Sequence, residues 1–374
     1  MFTLLKNIEC YYPKYAGKKN FLISFDKIYK ILPAQDKCEI NICDRIIDCE
    51  GLTAFPGLID QHVHITGGGG EQGFGTRIKE IDIGEILMTG VTTVVGLLGA
   101  DGYTRSLEVL YAKAKALELE GITTFIYSGS YEVPAVTLTG NIAKDLIFID
   151  KVLGAGEIAI SDHRSSQQDL NKMLELSSQT HLGGMIGGKA GVVHLHVGDG
   201  KSGLKILKDI LNNSDLPIEM FVPTHVNRNP ELFREAIEYC RSGGNIDLTA
   251  GEKVGIPVPE AIKTLIDQNV DISRVTVSSD ANGGSPQGVA AKINVLFDDL
   301  KDCVVNKKIN PEIFAVSTEN VAKILKLYPR KGVLKENSDA DILIIDSNFN
   351  VKMLFSMGKL LIENGCVTES ISGG

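Results

Sequence analysis

His62-Val63-His64 closes the apolar run Ala54-Phe55-Pro56-Gly57-Leu58-Ile59-Asp60-Gln61 and is the first place where this chain could do chemistry. Successive side chains of a strand point to opposite faces, so His62 and His64 project together on one side. Two imidazoles at the end of an apolar strand are costly to hold unless they bind something, and a divalent metal suits them. Pro56-Gly57 gives a rigid entry, and Gly67 to Gly70 leave the space above the rings open. A second His-X-His lies in Val192-Val193-His194-Leu195-His196-Val197, and a further histidine ends Phe221-Val222-Pro223-Thr224-His225. Val275-Thr276-Val277-Ser278-Ser279-Asp280 ends in an aspartate. A lone histidine at a strand end is usually a hydrogen-bonded core residue, but packing does not explain this many at strand mouths.

The elements that must position these residues follow from the apolar pattern. Strand-like runs end near His64, Gly99, Gly129, His163, Val197, Val226, Ala250 and Asp280. Between them lie helix-like segments such as Leu107 to Glu120, Asp169 to Ser178, Glu231 to Cys240 and Pro259 to Gln268. The alternation predicts an α/β fold with a (β/α)8 TIM-type barrel over residues 55–331, whose active site gathers at the C-terminal strand ends. A doubly wound open sheet would want a glycine-rich phosphate turn after its first strand. Neither Gly67–Gly70 nor Gly187-Gly188-Lys189-Ala190-Gly191 has a nucleotide-binding spacing. Residues 1–54 and 332–374 are β-rich, with Phe21-Leu22-Ile23-Ser24-Phe25, Ile40-Asn41-Ile42 and Val351-Lys352-Met353-Leu354-Phe355 as examples. They predict a small β-sandwich assembled from both termini.

Composition narrows the partners. A net charge of −9 over 374 residues, with no lysine–arginine cluster, argues against a nucleic-acid surface. The N-terminus lacks an apolar signal core and no apolar run reaches spanning length, so neither export nor membrane contact is expected. The seven cysteines form no CxxC, and Cys38, Cys43 and Cys49 lie close together without a zinc pattern. Free thiols in a reducing cytoplasm are predicted.

The stretches PGLIDQHVHITGGGGEQG (56–73), TTVVGLLGADG (92–102), ISDHRS (160–165), VGDG (197–200), PTHVNRN (223–229) and SSDANG (278–283) resemble the amidohydrolase superfamily. GGGGE and THVNRN are similar, within it, to the isoaspartyl dipeptidases, and the resemblance runs along almost the whole chain. It implies two zinc ions per chain, with His62 and His64 on the first and His196 and His225 on the second. Asp280 would contact the first metal, take a proton from a hydroxide held between the ions and return it to the leaving amine. Glu71 matches the acid that holds the substrate ammonium; Arg164 and Arg228 match carboxylate-binding residues. Tyr131 matches a phenol that steadies the oxyanion. The glycines at 67 to 70, Gly69 among them, would let backbone N–H groups approach the substrate. The family also forms large homo-oligomers. His194 shares a face with His196 one pleat deeper, which makes it core-facing or a support to a ligand. His163 and His181 read as structural.

The implied activity is hydrolysis of the isopeptide bond of β-aspartyl dipeptides. The competing readings are a hydantoinase- or dihydroorotase-like cyclic amidase, an N-acyl-amino-acid deacylase, and a catalytically silent scaffold. The sequence departs from the family at the acid that bridges both metals, a lysine carboxylated on its amine, before ISDHRS. Counting back from Ser161, Glu157 stands there; counting from the other side, Gly156 does, because the chain is one residue longer. A glutamate supplies the same carboxylate with a shorter reach, so the backbone or the metal spacing must adjust. Ala100 replaces a threonine and Gly284 a serine, and the segment after Ser285 is shortened, which touches the substrate range.

Overall fold

The computed structural model describes residues 2–36, 43–284 and 290–368. Both chain ends meet in one sheet. Its N-terminal strands are β1 (Phe2–Tyr11), β2 (Tyr15–Ser24), β3 (Lys27–Pro33), β4 (Arg45–Asp48) and β5 (Thr53–Pro56). Its C-terminal strands are β14 (Ile342–Ile345), β15 (Val351–Ser356), β16 (Lys359–Glu363) and β17 (Cys366–Val367). The order is β17-β16-β15-β14-β5-β1-β2-β3, with β4 branching from β1, and the antiparallel β5–β14 pair joins the two ends. Hydrogen bonding thus joins the two β-rich ends into one nine-stranded sheet. Alternate residues such as Leu5, Ile8, Phe21, Ile28, Ile344 and Phe355 gather in its core. The expected segment Ile40-Asn41-Ile42 lies outside the described residues.

Eight parallel strands form the barrel: β6 (Leu58–Val63), β7 (Val91–Gly96), β8 (Thr123–Ser128), β9 (Val152–Ile160), β10 (Val192–Val197), β11 (Phe221–Thr224), β12 (Ile246–Thr249) and β13 (Val275–Ser278). β6 to β11 pair in sequence order and β12 pairs β13. A parallel bridge between Val63 and Ala281, with the His64 amide donating to the Ala281 carbonyl at 2.9 Å, brings the first strand against the last. The predicted strand ends agree with these positions. The strands read as near-continuous apolar runs because helices cover their outer faces and side chains fill the inside.

The Leu107–Glu120 helix has the predicted bounds, with the Ser106 side chain capping one end and Gly121, at φ 119°, turning the other. The Leu170–Gly187 helix runs well past the expected Ser178. Its late glycines serve packing: a Cβ on Gly183 would stand 2.8 Å from Ala143 Cα, on the neighbouring Ile142–Phe148 helix.

Inside the barrel the side chains form layers. The lowest is apolar, with Ile59, Val95, Phe125, Leu153, Val192 and Val222 in one cluster. Above it lies a polar layer around Asp247, which accepts from Gln61 Nε2 at 2.7 Å and from the Thr224, Thr276 and Ser278 hydroxyls at 2.6 to 2.7 Å. The four donors that Asp247 gathers are tied down, which gives the strand mouths a firm floor.

Candidate metal centre

Four imidazoles and two carboxylates converge at the mouths of β6, β9, β10, β11 and β13. His62 Nε2 lies 3.3 Å from both Glu157 Oε2 and Asp280 Oδ1. His64 Nε2 lies 3.1 Å from Asp280 Oδ1 and 3.5 Å from Glu157 Oε1. On the other side, His196 Nδ1 lies 3.1 Å and His225 Nε2 3.7 Å from Glu157 Oε2. Glu157 is 1% exposed and faces all four rings. His225 and Asp280 take left-handed backbone angles, φ 62° and 53°, a cost that sites of this kind carry where the surroundings fix them. A Cβ on Gly283 would fall 2.3 Å from Asp280 Oδ1, so glycine there lets the loop cross the carboxylate.

Glu157 reaches the centre through a register shift. Val193 of β10 pairs with Ala155 of β9, and Leu195 with Ile158, so one extra residue of β9 is absorbed opposite His194. β9 therefore bulges at Gly156-Glu157, and of the two residues the sequence offered for this place it is Glu157 whose carboxylate faces the rings.

The charges fit a cation. Burial alone would raise the Glu157 carboxyl, but the His62 and His196 imidazoles hold it well below the usual range. Asp280 is likewise held down, against burial, by the facing His62 and His64 imidazoles. Burial and the nearby Arg228 guanidinium pull His225 down to about 3, so this ring is neutral and its lone pair is free to ligate. Burial would pull His62 down too, yet the facing Glu157 and Asp280 carboxylates push it up to about 9. Its buried Nε2 nevertheless finds no well-aligned hydrogen-bond partner, nor does His64 Nδ1. An anionic pair of carboxylates ringed by imidazoles is the donor set of a borderline divalent metal such as zinc. His62, His64 and Asp280 could hold one ion, and His62, Glu157 and His225 also cluster within ligating distance.

The other nitrogen of three rings is occupied from behind. Asp162 Oδ2 lies 3.0 Å from His196 Nε2, the Thr249 hydroxyl 2.7 Å from His225 Nδ1, and His194 Nε2 2.8 Å from His62 Nδ1. His194, fully buried, is kept neutral by desolvation and the neighbouring His62. Reading the sequence missed Asp162. Its only signal was its place beside Arg164 at a strand mouth.

The cleft above the centre is lined by Gly69, Glu71, Tyr131, Arg164 and Arg228, with Ala100 and Gly284 beside them. Arg164 grips Asp162 through Nε and Nη2, at 3.0 and 2.8 Å, and turns Nη1 to Glu71 at 3.2 Å. The two residues expected to bind opposite ends of a zwitterion thus face each other. The Tyr131 hydroxyl is 2.9 Å from His196 Nδ1, and burial with the Glu157 charge raises the phenol far above its usual value, so it remains a proton donor. Arg105, also missed, ties the glycine loop together by donating to the Thr66, Gly68 and Ile78 carbonyls. A Cβ on Gly284 would stand 2.5 Å from Gly69 Cα, so the lost hydroxyl goes with close backbone approach. The segment from Ser285 lies outside the described residues. His163 is at the surface, with a side chain 91% exposed, and His181 lies on the Leu170–Gly187 helix by a cavity near the start of β10, away from the centre.

The profile described as "Amidohydrolase family" matches residues 53–361. A crystal structure of a β-aspartyl dipeptidase from Fervidobacterium islandicum AW-1 is 41% identical, covers 99% of each chain and superposes with a TM-score of 0.92. A second structure of that name, in complex with β-Asp-Leu dipeptide, is 40% identical over 99% of each chain, with a TM-score of 0.92. Among curated sequences, an imidazolonepropionase from Colwellia psychrerythraea is 24% identical over 86% of this chain and 83% of its own length.

Proposed function

The chain belongs to the amidohydrolase family, and from that premise we propose that it hydrolyses the isopeptide bond of β-aspartyl dipeptides with two zinc ions per chain. The observation that carries this reading is the Glu71–Arg164 pair, 3.2 Å apart, at the rim of the histidine–carboxylate centre. A β-aspartyl dipeptide has one ammonium and two carboxylates around its scissile amide. Inserted between the pair, it exchanges their mutual contact for one of its own to each. Glu71 takes the ammonium, Arg164 Nη1 and Arg228 take carboxylates, and Gly69 lets the substrate lie against the loop backbone. The Fervidobacterium islandicum dipeptidase, described with β-Asp-Leu bound, supports the same substrate class here.

His62, His64 and Asp280 would hold one ion, His196 and His225 the other, with Glu157 shared between them. When bound, the ions acidify a water and polarise the amide carbonyl. Asp280 Oδ1 accepts the proton from the attacking water and passes it to the leaving amine, serving as base and then acid. Tyr131 donates its hydroxyl proton toward the oxyanion that develops as the carbonyl is attacked. Asp162 holds Arg164 and His196 in place together.

The same reading makes the protein a cytoplasmic homo-oligomer with a small dipeptide as partner and no nucleic acid or lipid. No helix among the described residues is long and apolar enough to cross a membrane. It divides the chain into a barrel at 55–331 and two halves of a terminal β-sandwich at 1–54 and 332–374.

Glu71→Gln tests the reading against a cyclic amidase, whose substrates carry no free ammonium. A charge-assisted hydrogen bond is worth about 1.5–3 kcal/mol, so kcat/KM on β-Asp-Leu should fall roughly 10–100-fold with zinc content unchanged. An unchanged rate on the dipeptide, or turnover of dihydrouracil-type rings alone, overturns it.

A further inference from the structure

We propose that His194 is a positioning residue of the metal centre: its Nε2 accepts the Nδ1 proton of His62 and so locks His62 in the tautomer whose Nε2 can bind a metal. The two nitrogens are 2.8 Å apart, and both side chains are fully buried. One proton lies between them, and it has two possible owners. If His194 Nε2 held it, His62 would accept at Nδ1, carry its own proton on Nε2 and be closed to a metal. If His62 Nδ1 holds it, Nε2, 3.3 Å from both Glu157 and Asp280, is the nitrogen that can give up its proton to a metal. The neutral His194 ring then bears its proton on Nδ1, an atom that is buried with no hydrogen-bond partner. A buried donor left unpaired is uncommon, and here it accompanies an acceptor placed where the ligand needs one.

The ring is held at this depth from two sides. Tyr127 lies parallel to it, with centroids 5.0 Å apart and planes 16° from each other. A Cβ on Gly156 would stand 2.9 Å from His194 Cβ, so glycine at the bulge is what leaves room for the imidazole. The bulge that delivers Glu157 and the ring that orients His62 therefore share one packing contact. His196 and His225 meet the same need differently, through Asp162 and Thr249.

This inference rests on the metal-centre reading and not on the choice of substrate, so its test reads zinc. The zinc dissociation constants of the full-length parent, His194→Leu and His194→Gln are measured by competition with a chromogenic chelator. Loss of a partner behind a ligating histidine is worth about 10–100-fold in metal affinity, and His194→Leu should weaken zinc by that factor. His194→Gln should stay close to the parent, because its amide oxygen can accept the same proton. Unchanged affinity in His194→Leu, or equal loss in both variants, overturns the proposal. NMR of the imidazole nitrogens in the zinc-loaded parent decides it without a variant. His194 protonated on Nδ1 supports it; His194 protonated on Nε2 overturns it. A parent that binds no zinc overturns the metal reading and this inference with it. A parent that binds zinc but hydrolyses no β-aspartyl dipeptide overturns only the substrate reading, and the affinity comparison still decides the role of His194.

Discussion

Two His-X-His pairs close two strands of one barrel, His62-His64 on β6 and His194-His196 on β10, and they are used differently. Both rings of the first pair reach the centre, each within 3.3 Å of Asp280. Of the second pair only His196 faces Glu157, while His194 lies behind His62. The cause is depth in the strand. β6 has a register shift between Asp60 and Val63, so Gln61 turns into the polar layer and His62 still faces the site above it. On β10, His194 sits two residues below His196 and level with the bulge of its neighbour. The same motif makes two facing groups or one group and its support, according to where the strand stops.

Substitutions around the two pairs should separate these roles. The largest loss is expected at Asp280, the carboxylate that closes on the first pair. Asp280→Asn should keep most of its zinc and lose about 10²–10⁴-fold in kcat, because one residue performs both proton transfers. A variant retaining a tenth of the parent kcat would place the proton chemistry elsewhere. Glu157 comes next, since it touches both pairs. A group behind a ligand is worth about 10–100-fold in metal affinity, so Glu157→Ala, which removes a shared ligand, should exceed that and hold less zinc than Asp280→Asn. Apo protein should regain full activity with zinc alone, as a glutamate needs no carbon dioxide; a requirement for bicarbonate in reconstitution would contradict the assignment. The smallest effect is expected at the rim. Gly284→Ser must push Gly69 away and should cost about 1–3 kcal/mol of stability, read as a lower denaturation midpoint. An unshifted midpoint would show that the loop yields freely.

Much of the centre was legible because strand periodicity and strand ends are local properties. His62, His64, His196, His225 and Asp280 each lie at the end of an apolar run, and the barrel brings them together. Glu157 was half legible. The sequence showed an extra residue but offered both Gly156 and Glu157, and only the register against β10 decides between them. Asp162 was not legible, since its partner His196 is 34 residues away and its role exists only across two strands. The Leu170–Gly187 helix was underestimated for a related reason: the packing of Gly183 against Ala143, on another helix, is not a local property. That both ends are β-rich was legible, whereas the β5–β14 pairing that joins them links residues roughly 290 positions apart.

The central claim is that the centre and the Glu71–Arg164 rim together select an isopeptide. The most direct measurement is kcat/KM for β-Asp-Leu and α-Asp-Leu on one zinc-loaded preparation. The account predicts turnover of the β-linked dipeptide with the α-linked one largely untouched. Equal rates on the two, or no hydrolysis of β-Asp-Leu by protein that carries its zinc, would contradict it.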